Sequence, residues 1–243
     1  MSNADFFASV VPGRTGPATS RAEVAAILAQ AVYQDFNDPS GGTPIHWPAP
    51  TNAMPAYWRR IDEHNAPIQP GAREDSQHHR SDPDLGPSDD YPFAMVVPEG
   101  YRIVNRTHNR DNKQNGGADH AGYDAVAVYN ERNGELMVVN LGLNEGSRDD
   151  MRAAADDGGN QIPEAQHFLD DTFSKLATPP RHVTLVGHSL GGVLAASQSV
   201  QLIRHHNNPP LPFSVIAFDS IGTETYLARD HVSVDERAAI QQN

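Results

Sequence analysis

The 243-residue sequence contains no cysteine. This absence excludes disulfide bonds, thiolate metal sites and a cysteine nucleophile. Long apolar runs are also missing, and the apolar stretches fall far below the roughly 20 residues that span a bilayer. No positively charged segment precedes an apolar one at the N-terminus, so we expect no Sec signal peptide. We therefore expect a soluble protein that is cytoplasmic or exported by another route.

Positive charge is scarce. The chain has 18 Lys and Arg against 31 Asp and Glu, which gives a formal net charge of −13. An acidic surface repels the phosphate backbone of nucleic acids and the headgroups of anionic membranes. Composition therefore argues against a nucleic-acid-binding protein and leaves protein partners open.

Proline is distributed unevenly, because residues 37–92 hold 10 of the 19 prolines and show no regular apolar periodicity. Proline at this density is incompatible with long helices and central strands. A capping box at Ser20 and Glu23, followed by apolar residues at helical spacing, predicts a helix that ends near Phe36. We therefore divide the chain into an N-terminal helix with a proline-rich loop or cap region, residues 1–92, and an α/β core, residues 93–243.

Strand-like and helix-like patterns alternate in the core. Residues 93–97 form a short apolar strand, and segments 123–129 and 135–141 form a hairpin whose connector ends in Asn-Gly. A helix over 163–177, a buried strand from His182, a helix to about Arg204 and a strand over 213–218 follow. With right-handed crossovers, this order predicts an α/β fold with a mostly parallel sheet flanked by helices.

One motif carries chemistry: Gly187-His-Ser-Leu-Gly-Gly192 matches G-x-S-x-G between an apolar strand and a helix. In that context the serine occupies a sharp turn, where side chains at the flanking glycines would collide with neighbours. The Ser189 hydroxyl is then exposed above the sheet, and the N–H of Leu190 can donate to a developing oxyanion. The alternative is a glycine-rich turn of a nucleotide-binding fold, but no G-x-G-x-x-G or G-x-x-x-x-G-K pattern supports it.

These features resemble the class 3 lipase group of α/β-hydrolases. The resemblance extends from roughly Gly100 to Gly222, about half of the chain, and GHSLGG is its specific part. It implies an α/β-hydrolase-like fold and a serine esterase that acts on a lipid or small ester without a cofactor or metal. Where the group has an Arg-Gly-Thr-like oxyanion segment, this chain has Leu141-Gly142-Leu143. Only a backbone N–H near Leu143 is then available to complete the oxyanion hole.

A serine nucleophile needs a histidine base that is oriented by a carboxylate, and the chain order in this fold is Ser, acid, His. Asp219, at the end of the strand after the nucleophile helix, is the candidate acid; a loop-capping aspartate is the alternative. His231 is the candidate base because no other histidine follows Asp219; an exposed polar residue is the alternative. The chain either closes a compact triad or is the front part of a longer hydrolase.

We therefore predict a serine ester hydrolase with Ser189, Asp219 and His231 as catalytic residues and the N–H groups of Leu190 and Leu143 as oxyanion donors. The competing prediction is a hydrolase-like domain without turnover that serves as a binding or toxin-associated module. The leucine at position 143 and the short segment after Ser189 favour this second interpretation.

Overall fold

The protein is described by a computed structural model over residues 21–36, 58–62, 65, 94–108, 123–142, 161–205, 210–222 and 232–242. The elements in chain order are α1 (Arg21–Phe36), β1 (Trp58–Asp62), β2 (Ala94–Pro98), β3 (Tyr101–His108), β4 (Asp124–Asn130), β5 (Glu135–Asn140), α2 (Gln161–Lys175), β6 (His182–His188), α3 (Leu190–His205), β7 (Phe213–Phe218) and α4 (Val234–Gln242). β1 and β2 pair antiparallel, and the other strands form a main sheet in the order β3-β4-β5-β6-β7.

The main sheet is mixed. β4 pairs antiparallel with both β3 and β5, whereas β5, β6 and β7 are mutually parallel. The predicted hairpin of β4 and β5 is confirmed, and its turn is closed by the Gly134 N–H, which donates to the Asn130 carbonyl at 2.8 Å. The expectation of a mostly parallel sheet is wrong for the described strands, because the polar strand β3 was not predicted and adds a second antiparallel pair. A mixed five-stranded sheet flanked by helices is compatible with an α/β-hydrolase-like fold.

Both faces of the main sheet are covered. Every residue of β4 and β5 is buried, the pattern of strands that are enclosed on both sides. Alternate residues of a strand point to opposite faces of the sheet. Helices α2 and α3 pack on one face, and α1 packs on the other. The first face is lined by Ala125, Ala127, Leu136, Val138, Val183 and Leu185, and the second by Val126, Val128, Met137, Val139 and Val186.

Helix α1 is held to the sheet by apolar and ionic contacts. Val24, Leu28 and Val32 are buried against the second face, and the Arg21 guanidinium lies 2.5 Å from a carboxylate oxygen of Glu135. The capping residue Ser20 lies outside the described residues. The division of the chain at residue 92 stays a prediction.

One boundary and three elements differ from the sequence expectation. α2 begins at Gln161, two residues before Pro163, and β1, β3 and α4 were not predicted. α4 begins with a capping box in which the Ser233 N–H donates to Glu236 at 2.7 Å and the Glu236 N–H donates to the Ser233 hydroxyl at 3.2 Å. Across the described ranges, no helix has the length and apolar character needed to cross a membrane.

Candidate active site

Ser189 is the single residue between the end of β6 and the start of α3. Its φ is 55°, in the left-handed region that residues other than glycine, Asn and Asp seldom adopt. Such a conformation costs on the order of 1–3 kcal/mol and persists only where the surroundings enforce it. Here the Ser189 N–H donates to the Phe218 carbonyl at 3.0 Å, and the Ser189 carbonyl accepts from the Gly192 N–H at 3.1 Å. β7 and the first turn of α3 therefore hold the strained serine in place.

The glycines on either side of Ser189 are required by close backbone packing. A Cβ on Gly187 would collide with the Gly191 carbonyl and lie 2.5 Å from the Gly192 nitrogen. A Cβ on Gly191 would collide with the Asn140 carbonyl at the end of β5 and lie 3.1 Å from the Leu141 carbonyl carbon. Backbone atoms cannot rotate away as a side chain does. The turn is therefore packed directly against β5, which is the geometry that the G-x-S-x-G spacing predicts.

The N-terminus of α3 provides hydrogen-bond donors beside Ser189. The first N–H groups of a helix have no partner within the helix, and the helix dipole makes that end positive. The first turn of α3 contains no acidic residue that would neutralise this end. Leu190, whose N–H is the predicted oxyanion donor, is the first residue of α3.

The second predicted oxyanion donor, Leu143, lies outside the described residues. The two residues before it, Leu141 and Gly142, are buried. The Leu141 N–H donates to the Asp124 carbonyl at 3.0 Å and so extends the β4–β5 ladder beyond the last residue of β5. The chain that leads to Leu143 therefore starts from a fixed position beside the first turn of α3.

Asp219 lies next to the serine turn. It follows Phe218, whose carbonyl accepts from the Ser189 N–H, and it is exposed with a φ of 46°. Burial lowers the pKa of His188, and the negative charge of Asp219 opposes that shift. His231 lies outside the described residues, so the structure brings Ser189, Leu190 and Asp219 together and leaves the predicted base undescribed.

A serine–histidine contact that was not singled out from the sequence lies at the opposite edge of the sheet from Ser189. The His182 imidazole Nε2 is 3.1 Å from the Ser214 hydroxyl, and both residues are half-buried at the start of neighbouring parallel strands. Burial lowers the pKa of His182, the positive charge of Arg21 lowers it further, and Glu135 opposes both. Ser214 lies inside strand β7, whereas Ser189 lies at the N-terminus of a helix. The only sequence signal for this pair is a polar residue near the start of each of two apolar strands.

No family model and no curated protein matches the sequence. Among solved structures, the triacylglyceride lipase of Rhizomucor miehei is similar at 11% identity and a TM-score of 0.28, covering 49% of this chain and 48% of that one. The propeptide complex of a deletion mutant of Rhizomucor miehei lipase gives 12% identity, a TM-score of 0.30 and coverage of 49% and 40%. The chain thus spans about half or less of the length of these lipases. At such low TM-scores the roles of individual residues have to be argued from the geometry of this chain.

Proposed function

We propose that the protein is a serine hydrolase that cleaves a carboxylic ester, with Ser189 as its nucleophile. The Ser189 hydroxyl attacks the ester carbonyl, and a histidine base takes its proton. The carbonyl oxygen becomes an oxyanion that accepts hydrogen bonds from the N–H of Leu190 and from an N–H near Leu143. The protonated histidine then gives its proton to the leaving oxygen, so that the C–O bond breaks, the alcohol departs and an acyl-enzyme remains on Ser189. Water, deprotonated by the same histidine, hydrolyses the acyl-enzyme, and return of the proton to the serine oxygen releases the acid and free Ser189.

The single observation that carries this proposal is the strained backbone of Ser189 at the N-terminus of α3. A φ of 55° at a non-glycine residue, with backbone contacts that exclude a Cβ on both flanking glycines, is the arrangement expected of a nucleophile elbow. A glycine-rich turn with only a structural role has no need of a strained serine between its glycines.

The proposed triad partners of Ser189 are Asp219 and His231. Asp219 is supported as the acid by its position one residue beyond the carbonyl that accepts from Ser189. His231 is proposed as the base from chain order alone.

A lipid is proposed as the ester because the GHSLGG segment resembles that of class 3 lipases.

Hydrolysis of p-nitrophenyl esters of increasing acyl length tests the proposal. The parent protein is expected to turn over, with a rate that rises with pH through an apparent pKa near that of a histidine, about 6.5. Ser189→Ala and His231→Ala should each remove most of the rate, and Asp219→Asn should reduce it because the imidazole loses its orienting partner. A longer acyl chain should lower KM if the substrate is a lipid.

Ser214→Ala is the matched control, because Ser214 is a half-buried serine that contacts a histidine away from the turn. It should retain the parent rate. Full activity in His231→Ala beside an inactive Ser189→Ala would remove His231 from the mechanism. An inert parent protein would contradict the hydrolase proposal and support the binding-module interpretation.

A further inference from the structure

A buried cluster of polar side chains lies directly beneath the serine turn. Its members are Tyr123, Asn140 and Gln198, each at most 1% exposed. Burial of such groups is costly unless each finds hydrogen-bond partners. The Asn140 amide donates to the Val186 carbonyl at 3.2 Å and to the Gln198 side-chain oxygen at 2.9 Å, and accepts from the Tyr123 hydroxyl at 2.7 Å.

The cluster connects several elements through these bonds. Asn140 is the last residue of β5 and pairs in register with Gly187 of the turn. Gln198 lies on α3 and also donates to the Ala165 carbonyl of α2 at 2.8 Å. Tyr123 directly precedes β4. One amide, that of Asn140, therefore joins the end of β5 to β6 and α3, the two elements that flank Ser189.

The position of Asn140 matters for the proposed chemistry because two oxyanion donors must converge on one atom. The first donor, the Leu190 N–H, moves with α3, and the second is reached through Leu141 at the end of β5. The Asn140 carbonyl is already the atom that excludes a Cβ from Gly191. Directional hydrogen bonds fix the relative position of two elements, whereas apolar contacts permit sliding.

Resting on the proposed function, we infer that Asn140 is a positioning residue. It sets the spacing between the end of β5 and the N-terminus of α3, and thereby the alignment of the oxyanion donors. A misplacement of about 1 Å at a reacting centre reduces rates by about 10²-fold. Loss of the Asn140 contacts should therefore reduce kcat much more than it raises KM.

Two variants and one control separate positioning from stability. Asn140→Asp keeps the size of the side chain but places a carboxylate against the Val186 carbonyl and the Gln198 side-chain oxygen. Tyr123→Phe is milder, because it removes one donor and keeps the ring, which packs edge-to-face on Phe168 at 5.9 Å. Thr184→Val is the matched control. Thr184 is fully buried on β6, the strand that leads to the turn, and its hydroxyl donates at 3.0 Å to Glu135 at the start of the neighbouring strand β5, away from Ser189.

The readouts are the melting temperature, kcat and KM on a p-nitrophenyl ester, and the ³¹P resonance of the phosphonate adduct of Ser189. All three variants should melt below the parent. Only Asn140→Asp and Tyr123→Phe should lose kcat, by about 10²-fold and about 10-fold, with KM changed by less than about 3-fold. Their ³¹P resonance should also move, because the phosphonyl oxygen occupies the oxyanion position.

Tyr123→Phe carries the test if Asn140→Asp does not fold. An active parent whose Tyr123→Phe variant keeps kcat and the parental ³¹P resonance would overturn the positioning role and leave the hydrolase proposal intact. If Thr184→Val lost as much kcat as Tyr123→Phe, the loss would be explained by lower stability alone, and the inference would also be overturned. A parent without turnover and without a Ser189 adduct would overturn both proposals.

Discussion

The amino and carboxyl edges of the main sheet, where its parallel strands begin and end, each carry a serine. The two serines differ in backbone conformation and in their neighbours. At the amino edge, where β6 and β7 begin, Ser214 contacts the histidine His182 from within a regular strand. At the carboxyl edge, where the same strands end, Ser189 adopts a left-handed backbone at the N-terminus of a helix. Among the residues that the structure describes, the contact with a histidine and the strained turn thus occur at different serines. The described feature that distinguishes Ser189 from Ser214 is therefore its backbone conformation at the start of a helix, and not a neighbouring imidazole.

The edges also differ in how their buried polar groups are satisfied. At the amino edge, Glu135 accepts hydrogen bonds from Arg21, Tyr101 and Thr184. These bonds outweigh the effect of burial, which alone would raise its pKa, and hold the pKa of Glu135 below 4.5. At the carboxyl edge the Asn140 amide is uncharged. It donates to Val186 and Gln198, which lie on β6 and α3, the two elements that flank the serine turn. The buried polar contacts at the amino edge stabilise the fold. Those at the carboxyl edge stabilise it next to the strained backbone of Ser189.

The largest expected effect is at the carboxyl edge. Gly191→Val would drive a branched side chain into the backbone of β5, where the Asn140 carbonyl leaves no room. We expect a loss of about 3 kcal/mol or more in the free energy of unfolding, measured by urea denaturation. The neighbouring change Gly192→Ala should cost less, because it adds a single carbon whose nearest contacts are the Oγ and Cβ of Ser220, at 2.5 and 2.7 Å, rather than backbone atoms of β5. An unaltered stability of Gly191→Val would show that the turn is not tightly packed.

An intermediate effect is expected at the amino edge. Glu135→Gln removes the charge on which Arg21, Tyr101 and Thr184 converge, and should cost about 2 kcal/mol at pH 7. Because the folded pKa of Glu135 lies below 4.5, its contribution is present above about pH 4.5 and is lost as the pH falls further. The difference in the free energy of unfolding between the parent and Glu135→Gln should therefore become smaller in acid. Urea denaturation at several pH values measures this difference. A gap that widened in acid would contradict the assigned ion pair.

The smallest effect is expected away from both edges, at the start of α4. Ser233→Ala removes the capping hydroxyl and should cost about 1 kcal/mol. Hydrogen bonds from Arg204 and from the Ser233 backbone lower the pKa of Glu236 to about 2, so the capping box is intact at neutral pH. Thermal unfolding checks the loss, and a cost above that of Glu135→Gln would place α4 in the central cooperative unit.

Local patterns in the sequence predicted the elements with strong apolar periodicity. The hairpin of β4 and β5, the strand β6 and the helix α3 lie close to their predicted ranges, because burial on both faces leaves an uninterrupted apolar signal. β3 was missed because polar residues interrupt it. One of them, Asn105, is buried beside α2, where Asp171 and Thr172 accept its amide hydrogens and Lys175 donates to its amide oxygen. The capping box of Ser233 and Glu236 was a readable signal for α4 that the expectation overlooked.

The candidate site divides in the same way. Ser189 and its flanking glycines were identifiable because the residues that form the sharp turn are consecutive in the sequence, from Gly187 to Gly192. The Asn140 cluster was not, since its partners lie 17, 46 and 58 residues away in the chain, and no local pattern marks a buried amide. The catalytic roles of Ser189, Asp219 and Leu190 stay predictions, and so do those of His231 and Leu143, which lie outside the described part of the chain.

Labelling with a fluorophosphonate probe, followed by peptide mapping, tests the central claim most directly, because it compares the two serines in one experiment. We predict that the probe modifies Ser189 in the parent and in Ser214→Ala, and that Ser189→Ala is unlabelled while its circular dichroism is unchanged. Modification of Ser214, or equal labelling of the folded Ser189→Ala variant, would contradict the assignment of Ser189 as the nucleophile.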